Sequence, residues 1–166
     1  MATETHVRGL AELQKFMDQL APKIERNVMR GALRAGMNVV KPMAVANARK
    51  ASGLYAAGLK VGTRARGGRV TANLKATGPH AYLGRWIEFG TRAHNIAAKT
   101  GGFLSFGGIF TKSVAHPGAR PYPHMRPALD ANAAAAVQAA AEYMKARLAS
   151  KHGLDTSGVV LDGDEA

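Results

Sequence analysis

Glu88 is the single acid between Arg26 and Arg126, a stretch that holds 17 Lys and Arg. Hydrolysis of sugars or of phosphodiesters by paired or metal-bound carboxylates needs acids in clusters. The central block has none, so its one carboxylate points to an ion pair before a general acid or base. Six histidines are present, His6, His80, His94, His116, His124 and His152. None has the one-turn helical spacing of a zinc pair. Cysteine is absent, which removes thiolate nucleophiles, thiolate metal sites and disulfides. No nucleophile elbow, Walker loop or dinucleotide fingerprint occurs. The expectation is a protein with no catalytic residues, no cofactor and no metal.

Charge is what the sequence offers instead. The formal net charge is +12, and it is unevenly placed. Residues 26–126 carry +16, whereas the two flanks together carry −4. A basic block of this kind favours a polyanion nearby. No aromatic–basic alternation of an RNA-reading sheet is visible, so the expected contact is non-specific, with the phosphate backbone as its target.

These residues need elements to place them. Leu10, Leu13, Phe16, Met17 and Leu20 recur at helical steps and predict a short first helix. Pro22 can open a second, because a missing N–H costs nothing in a first turn. Ile24, Val28, Ala32, Ala35, Val39, Met43 and Ala46 predict its buried stripe, with an end near Lys50 and a bend near Val39, between Gly36 and Pro42. Residues 59–64 and 69–76 read as two strands joined at Gly67-Gly68, since paired glycines accept positive φ. Arg64, Arg66, Arg69 and Lys75 decorate this hairpin and are the candidate nucleic-acid-facing residues. Residues 80–91 fit a short helix or a strand, with Tyr82 and Trp86 expected in the core beside Ile87 and Phe89. Residues 95–120 read as a long Gly-rich loop with a hairpin near Gly107-Gly108. Its Phe103, Phe106 and Phe110 predict a surface that orders against a neighbouring subunit or a tail protein. Three prolines keep residues 120–127 extended. A final helix follows, with Leu129, Ala133, Val137, Ala140, Met144 and Leu148 as its stripe. The fold class is α+β, helices on one face of a small antiparallel sheet. One domain over residues 1–151 and a disordered acidic tail over 152–166 complete the expectation. No signal peptide or membrane span is read, which predicts cytoplasmic synthesis.

Of the 77 hydrophobic residues 32 are alanine, so the large-side-chain core is lean and association is a plausible way to cover it. Glu88 and Arg126 are candidates for a buried or interfacial ion pair locking the last helix to the sheet. Unchanged stability and assembly in Glu88→Gln would count against that lock.

Four segments carry a family pattern. They are Gly9-Leu10-Ala11-Glu12-Leu13, then Ala46-Asn47-Ala48 with Ser52-Gly53-Leu54, and Ala81-Tyr82-Leu83-Gly84-Arg85-Trp86-Ile87-Glu88-Phe89-Gly90-Thr91. The fourth runs from His116-Pro117-Gly118 through Arg120-Pro121-Tyr122 to Met125-Arg126-Pro127-Ala128-Leu129-Asp130. In order and spacing, the chain resembles the tail-component family of long-tailed bacteriophages, the tail-completion or head–tail joining proteins. The resemblance implies a non-enzymatic virion protein without a cofactor. It implies a homo-oligomeric ring, six-fold, at the junction of head and tail, in contact with other neck and tail proteins and close to DNA. A non-specific nucleic-acid-binding protein is the competing expectation, and a small hydrolase using His and Lys is a third.

Overall fold

A computed structural model describes residues 9–18, 20, 22–49, 53–99 and 101–161. Its elements are α1 (Leu10–Asp18), α2 (Pro22–Asn47), α3 (Leu54–Ala57), β1 (Leu59–Arg66), β2 (Arg69–Ala76) and α4 (Leu83–Phe89). Then follow β3 (His94–Ala97), β4 (Leu104–Phe106), β5 (Ile109–Thr111), β6 (Ser113–His116), α5 (Met125–Ala131) and α6 (Ala133–His152). The class is α+β, as the alternation of patterns predicts.

The long helix α2 is the spine. Val28, Ala32, Gly36, Val40, Ala44 and Ala48 are buried along it, one every fourth residue. Four residues turn the helix by about 400°, so each step rotates the stripe by roughly 40°. The buried face therefore winds and meets successive partners. Val28 packs with Leu13 and Met17 of α1 and Ala141 and Leu148 of α6. Val40 and Ala44 meet Ala128 of α5. Ala48 meets Tyr55, Ala56 and Leu59. The predicted stripe is right at Val28 and Ala32, one residue early at Ala35, Val39 and Met43 and two early at Ala46, and Ile24 is exposed. Gly36 reads as a break in sequence, yet it is a contact. A Cβ there would fall 2.5 Å from the carbonyl oxygen of Ala136, so glycine lets α6 approach. Helix α2 runs through Pro42 to Asn47.

The hairpin β1–β2 lies against α2. Gly67 and Gly68 have φ of 56° and 76°, and Arg66 pairs with Arg69 across them. That is the two-residue turn whose twist suits a hairpin. Leu59 and Leu74 face inward, into the clusters around Ala48 and Val40.

Two expectations change at the C-terminal end. The single last helix is two, α5 and α6, because Asn132 breaks it. Its side-chain amide donates to the carbonyl of Ala128 (2.8 Å), the kind of local bond that competes with helix. The break takes Leu129 off the α6 stripe and leaves it 46% exposed. The polar segment read as a tail also packs. Val159 is buried, and Leu154 and Leu161 pack on the cluster of α1, α2 and α6. Lys145 and Gln138 of α6 donate to the carbonyls of Val159 and Leu161. Residues 162–166, with most of that segment's acids, lie outside the described residues.

The expected Gly-rich loop is β structure. His94–Ala97 pairs with Ser113–His116, and Leu104–Phe106 pairs with Ile109–Thr111 in a second ladder. Gly107 and Gly108 turn the tip at φ of 56° and 80°, where the hairpin was expected. What hides the strands in the sequence is that neither face is buried, so no apolar alternation marks them.

Candidate functional site

Glu88 sits in the last turn of α4, and its carboxylate closes the start of α5. Oε2 accepts the backbone N–H of His124 (2.8 Å) and of Met125 (3.1 Å). Oε1 accepts the N–H of Arg126 (3.1 Å). His124 is the N-cap of α5, and Pro127, next in line, has no N–H to offer. One side chain thus satisfies every donor at the helix start, a need that exists because first-turn amides have no intrahelical acceptor. Glu88 and Arg126 are brought together, as the lock required, but through the backbone amide of Arg126. The side chain beside the carboxylate is the His124 ring, whose Nδ1 lies 3.0 Å from Oε2. The approach of Nδ1 falls outside hydrogen-bond geometry, so the contact is electrostatic.

His124 is fully buried, and its Nε2 lies 2.8 Å from the hydroxyl of Tyr55. Tyr55 meets it edge-on. Gly84 of α4 makes room, since a Cβ there would come within 3.0 Å of the Tyr55 hydroxyl. A Glu–His–Tyr chain resembles a nucleophile relay in outline, but its electrostatics run the other way. Burial, and then the Glu88 charge, push the Tyr55 phenol above its ordinary value, whereas a nucleophile needs the reverse.

Burial pushes the Glu88 carboxyl up, but the amides of His124, Met125 and Arg126 and the His124 charge outweigh it. The group is held below its ordinary value of 4.5. A carboxyl whose folded value is lowered stabilises the fold in full above its unfolded value, and that contribution fades as pH falls through the folded one. Acid unfolding of the wild type should therefore steepen below about pH 4.5. Glu88→Gln should flatten that limb in urea titrations across pH, and an unchanged limb would assign the acid sensitivity elsewhere.

Clamps flank this cap. The Tyr122 N–H donates to the Ile87 carbonyl (2.6 Å), and Thr91 and Ala119 exchange two backbone bonds. Gly90 has φ 71° and ψ −173°, a region suited to glycine, and a Cβ would lie 2.5 Å from the Ala119 carbonyl oxygen. Gly84, Glu88 and Gly90, spaced along one sequence motif, each serve the seat of α5.

The aromatic residues of that motif do not go inside. Tyr82, Trp86 and Phe89 are exposed, Trp86 at 51% and Phe89 at 67%, which corrects the expected burial of Tyr82 and Trp86. Tyr82 and Trp86 touch edge-to-face at 5.1 Å. The apolar neighbours Ile87 and Leu83 take the inward side of the helix, and α4 turns its broader aromatic side outward. Beside it is an apolar groove of about 600 Å³ lined by Val40, Leu74, Phe89, Met125 and Leu129.

The strands of the hairpin arm bear a second apolar surface. Phe103 is 63%, Phe106 46% and Phe110 71% exposed, and Ile109 joins them. None of these residues belongs to a core cluster.

Cations form the third feature. In β1–β2 the alternation turns Lys60, Arg64, Arg66, Arg69 and Lys75 to the exposed face. Lys60 stands directly across from Lys75, and Arg66 from Arg69. Like charges opposite each other in a ladder disfavour the hairpin. The four predicted residues share this face, and Lys60 was missed. Its two-residue spacing to Gly62 and Arg64 is the signal that would have found it. Among the described residues, no three His, Asp or Glu side chains gather as a metal site would need. No described helix is long and apolar enough to cross a membrane.

The described residues thus combine an α+β fold with a buried structural carboxylate, two exposed apolar surfaces and a cationic hairpin. Residues 11–90 match the model of the HK97-gp10-like family, described as "Bacteriophage HK97-gp10, putative tail-component". Over that stretch, from α1 to the end of the Glu88 motif, the chain is similar to a bacteriophage tail-component family. No curated protein and no solved structure matches the chain. The family supports a structural role in the virion tail.

Proposed function

We propose that the protein forms a six-fold homo-oligomeric ring at the head–tail junction and completes the tail around the DNA passage. The observation that carries this reading is the presence of two unlike apolar surfaces on one chain, the aromatic side of α4 and the hairpin arm. Apolar patches of this kind mark contact sites. An isolated two-stranded hairpin is marginal in water and gains stability by packing on something else. Two different patches that meet head to tail make a heterologous contact, and such contacts close into a ring when the rotation between neighbours divides a full turn. Phe103, Phe106 and Phe110 are the assembly residues in this scheme. Arg64, Arg66, Arg69 and Lys75, with Lys60, face the DNA and hold it without reading its sequence. Partners are further copies of the chain and other neck and tail proteins.

Native mass spectrometry with negative-stain imaging tests the reading. Closed rings in solution, or formed on purified tails, are expected. Monomers that bind DNA in a salt-dependent way and never join tails would instead favour a non-specific nucleic-acid-binding protein, which the cationic hairpin alone would suit.

A further inference from the structure

A second cationic feature lies apart from the hairpin's outer face. Where α2 passes the edge of β1 and the flank of α6, a cleft of about 320 Å³ is lined by Asn27, Arg30, Gly31, Arg34, Thr63 and Tyr143. Every polar side chain in it can donate a hydrogen bond, and no carboxylate lines it. Arg30 and Arg34 are one helical turn apart, about 6 Å along the axis. Like charges at that spacing cost a helix stability when nothing neutralises them. Arg34 is already aimed at the cleft, with Nη2 3.5 Å from Thr63 Oγ1. Gly31 forms the floor, because any Cβ there would run into the ring and hydroxyl of Tyr143. The glycine is what lets the phenol lie beside the two guanidinium groups.

We propose that this cleft is a binding site for a backbone phosphodiester of a nucleic acid. Two planar guanidinium forks suit phosphate oxygens. The Asn27 amide, the Thr63 hydroxyl and the Tyr143 hydroxyl add neutral donors that a diffuse basic surface would lack. The cleft is roomier than a bare phosphate requires, so a sugar–phosphate unit fits it better than a free ion. The proposal does not depend on ring formation.

The test uses the full chain, a short duplex oligonucleotide and inorganic phosphate. Arg30→Gln with Arg34→Gln should weaken oligonucleotide binding about tenfold and lower the salt slope by roughly two. Lys99→Gln with Lys112→Gln removes the same charge from residues that do not line the cleft and should leave binding nearly unchanged. Tyr143→Phe and Asn27→Ala alter no charge, and each should still weaken binding measurably. Equal losses in the two double variants, with no loss in the neutral ones, would reduce the site to bulk charge and overturn the proposal. Phosphate that competes as well as the oligonucleotide, mole for mole, would overturn the assignment to a polymer backbone. Loss confined to variants of Arg64, Arg66 and Arg69 would support the hairpin reading and refute the cleft.

Discussion

Glu88→Ala should destabilise the protein by about 3 kcal/mol in urea unfolding, near the upper range for a point substitution. The change strands three backbone donors at the start of α5, on His124, Met125 and Arg126, together with the buried ring of His124. Each buried donor left without an acceptor costs about 1–3 kcal/mol, and relaxation toward the neighbouring groove lets water recover part of that. Glu88→Gln should fall between, at roughly half the loss, because one oxygen can still accept while its NH2 confronts a backbone donor. Arg126→Gln should cost less than about 0.5 kcal/mol, since the cap uses only the backbone of residue 126. A large loss in Arg126→Gln with a small one in Glu88→Ala would restore a side-chain ion pair and contradict the cap.

Shortening the arm should leave folding intact and abolish assembly. The ladder can be closed where Ala98 donates to the Lys112 carbonyl (2.8 Å) by putting Asn-Gly in place of residues 99–111. That turn suits a two-residue hairpin. None of the described side chains removed contributes to a core cluster, so stability should change by less than about 1 kcal/mol. The variant loses Phe103, Phe106, Ile109 and Phe110, the apolar tip left exposed among the described residues. A phage carrying it should yield heads and tails that fail to join, with infectious particles at background. Normal infectivity would remove the arm from the assembly scheme.

How much of this was legible in the sequence varied with what a residue faces. The Gly67-Gly68 turn was plain, because positive φ at two successive positions has few other solutions. The arm was not, since strands exposed on both faces carry no alternating pattern. The second half of the α2 stripe was misread because a glycine at a close helix contact looks like a helix breaker. Trp86 and Tyr82 read as core because Ile87 and Phe89 lie beside them in the sequence, and only the burial of Leu83 and Ile87 shows which side of α4 turns in. Glu88 stood out as the one acid in a basic block, which pointed to a structural partner. The partner was sought among charges, whereas the cap is made of amides. Pro127, placed where a helix start lacks need of an N–H, was the available hint of a helix beginning there. Tyr55 and His124 gave no such signal, being single polar residues that only the approach of α3 to the start of α5 brings together.

The most direct measurement of the central claim is cryo-electron microscopy of intact particles, with the protein located by an antibody or by mass spectrometry of isolated tails. A closed ring at the junction of head and tail is expected, with cationic hairpins toward the channel and each arm on the α4 face of a neighbour. Particles that lack the protein, or that hold it as scattered monomers on DNA, would contradict it.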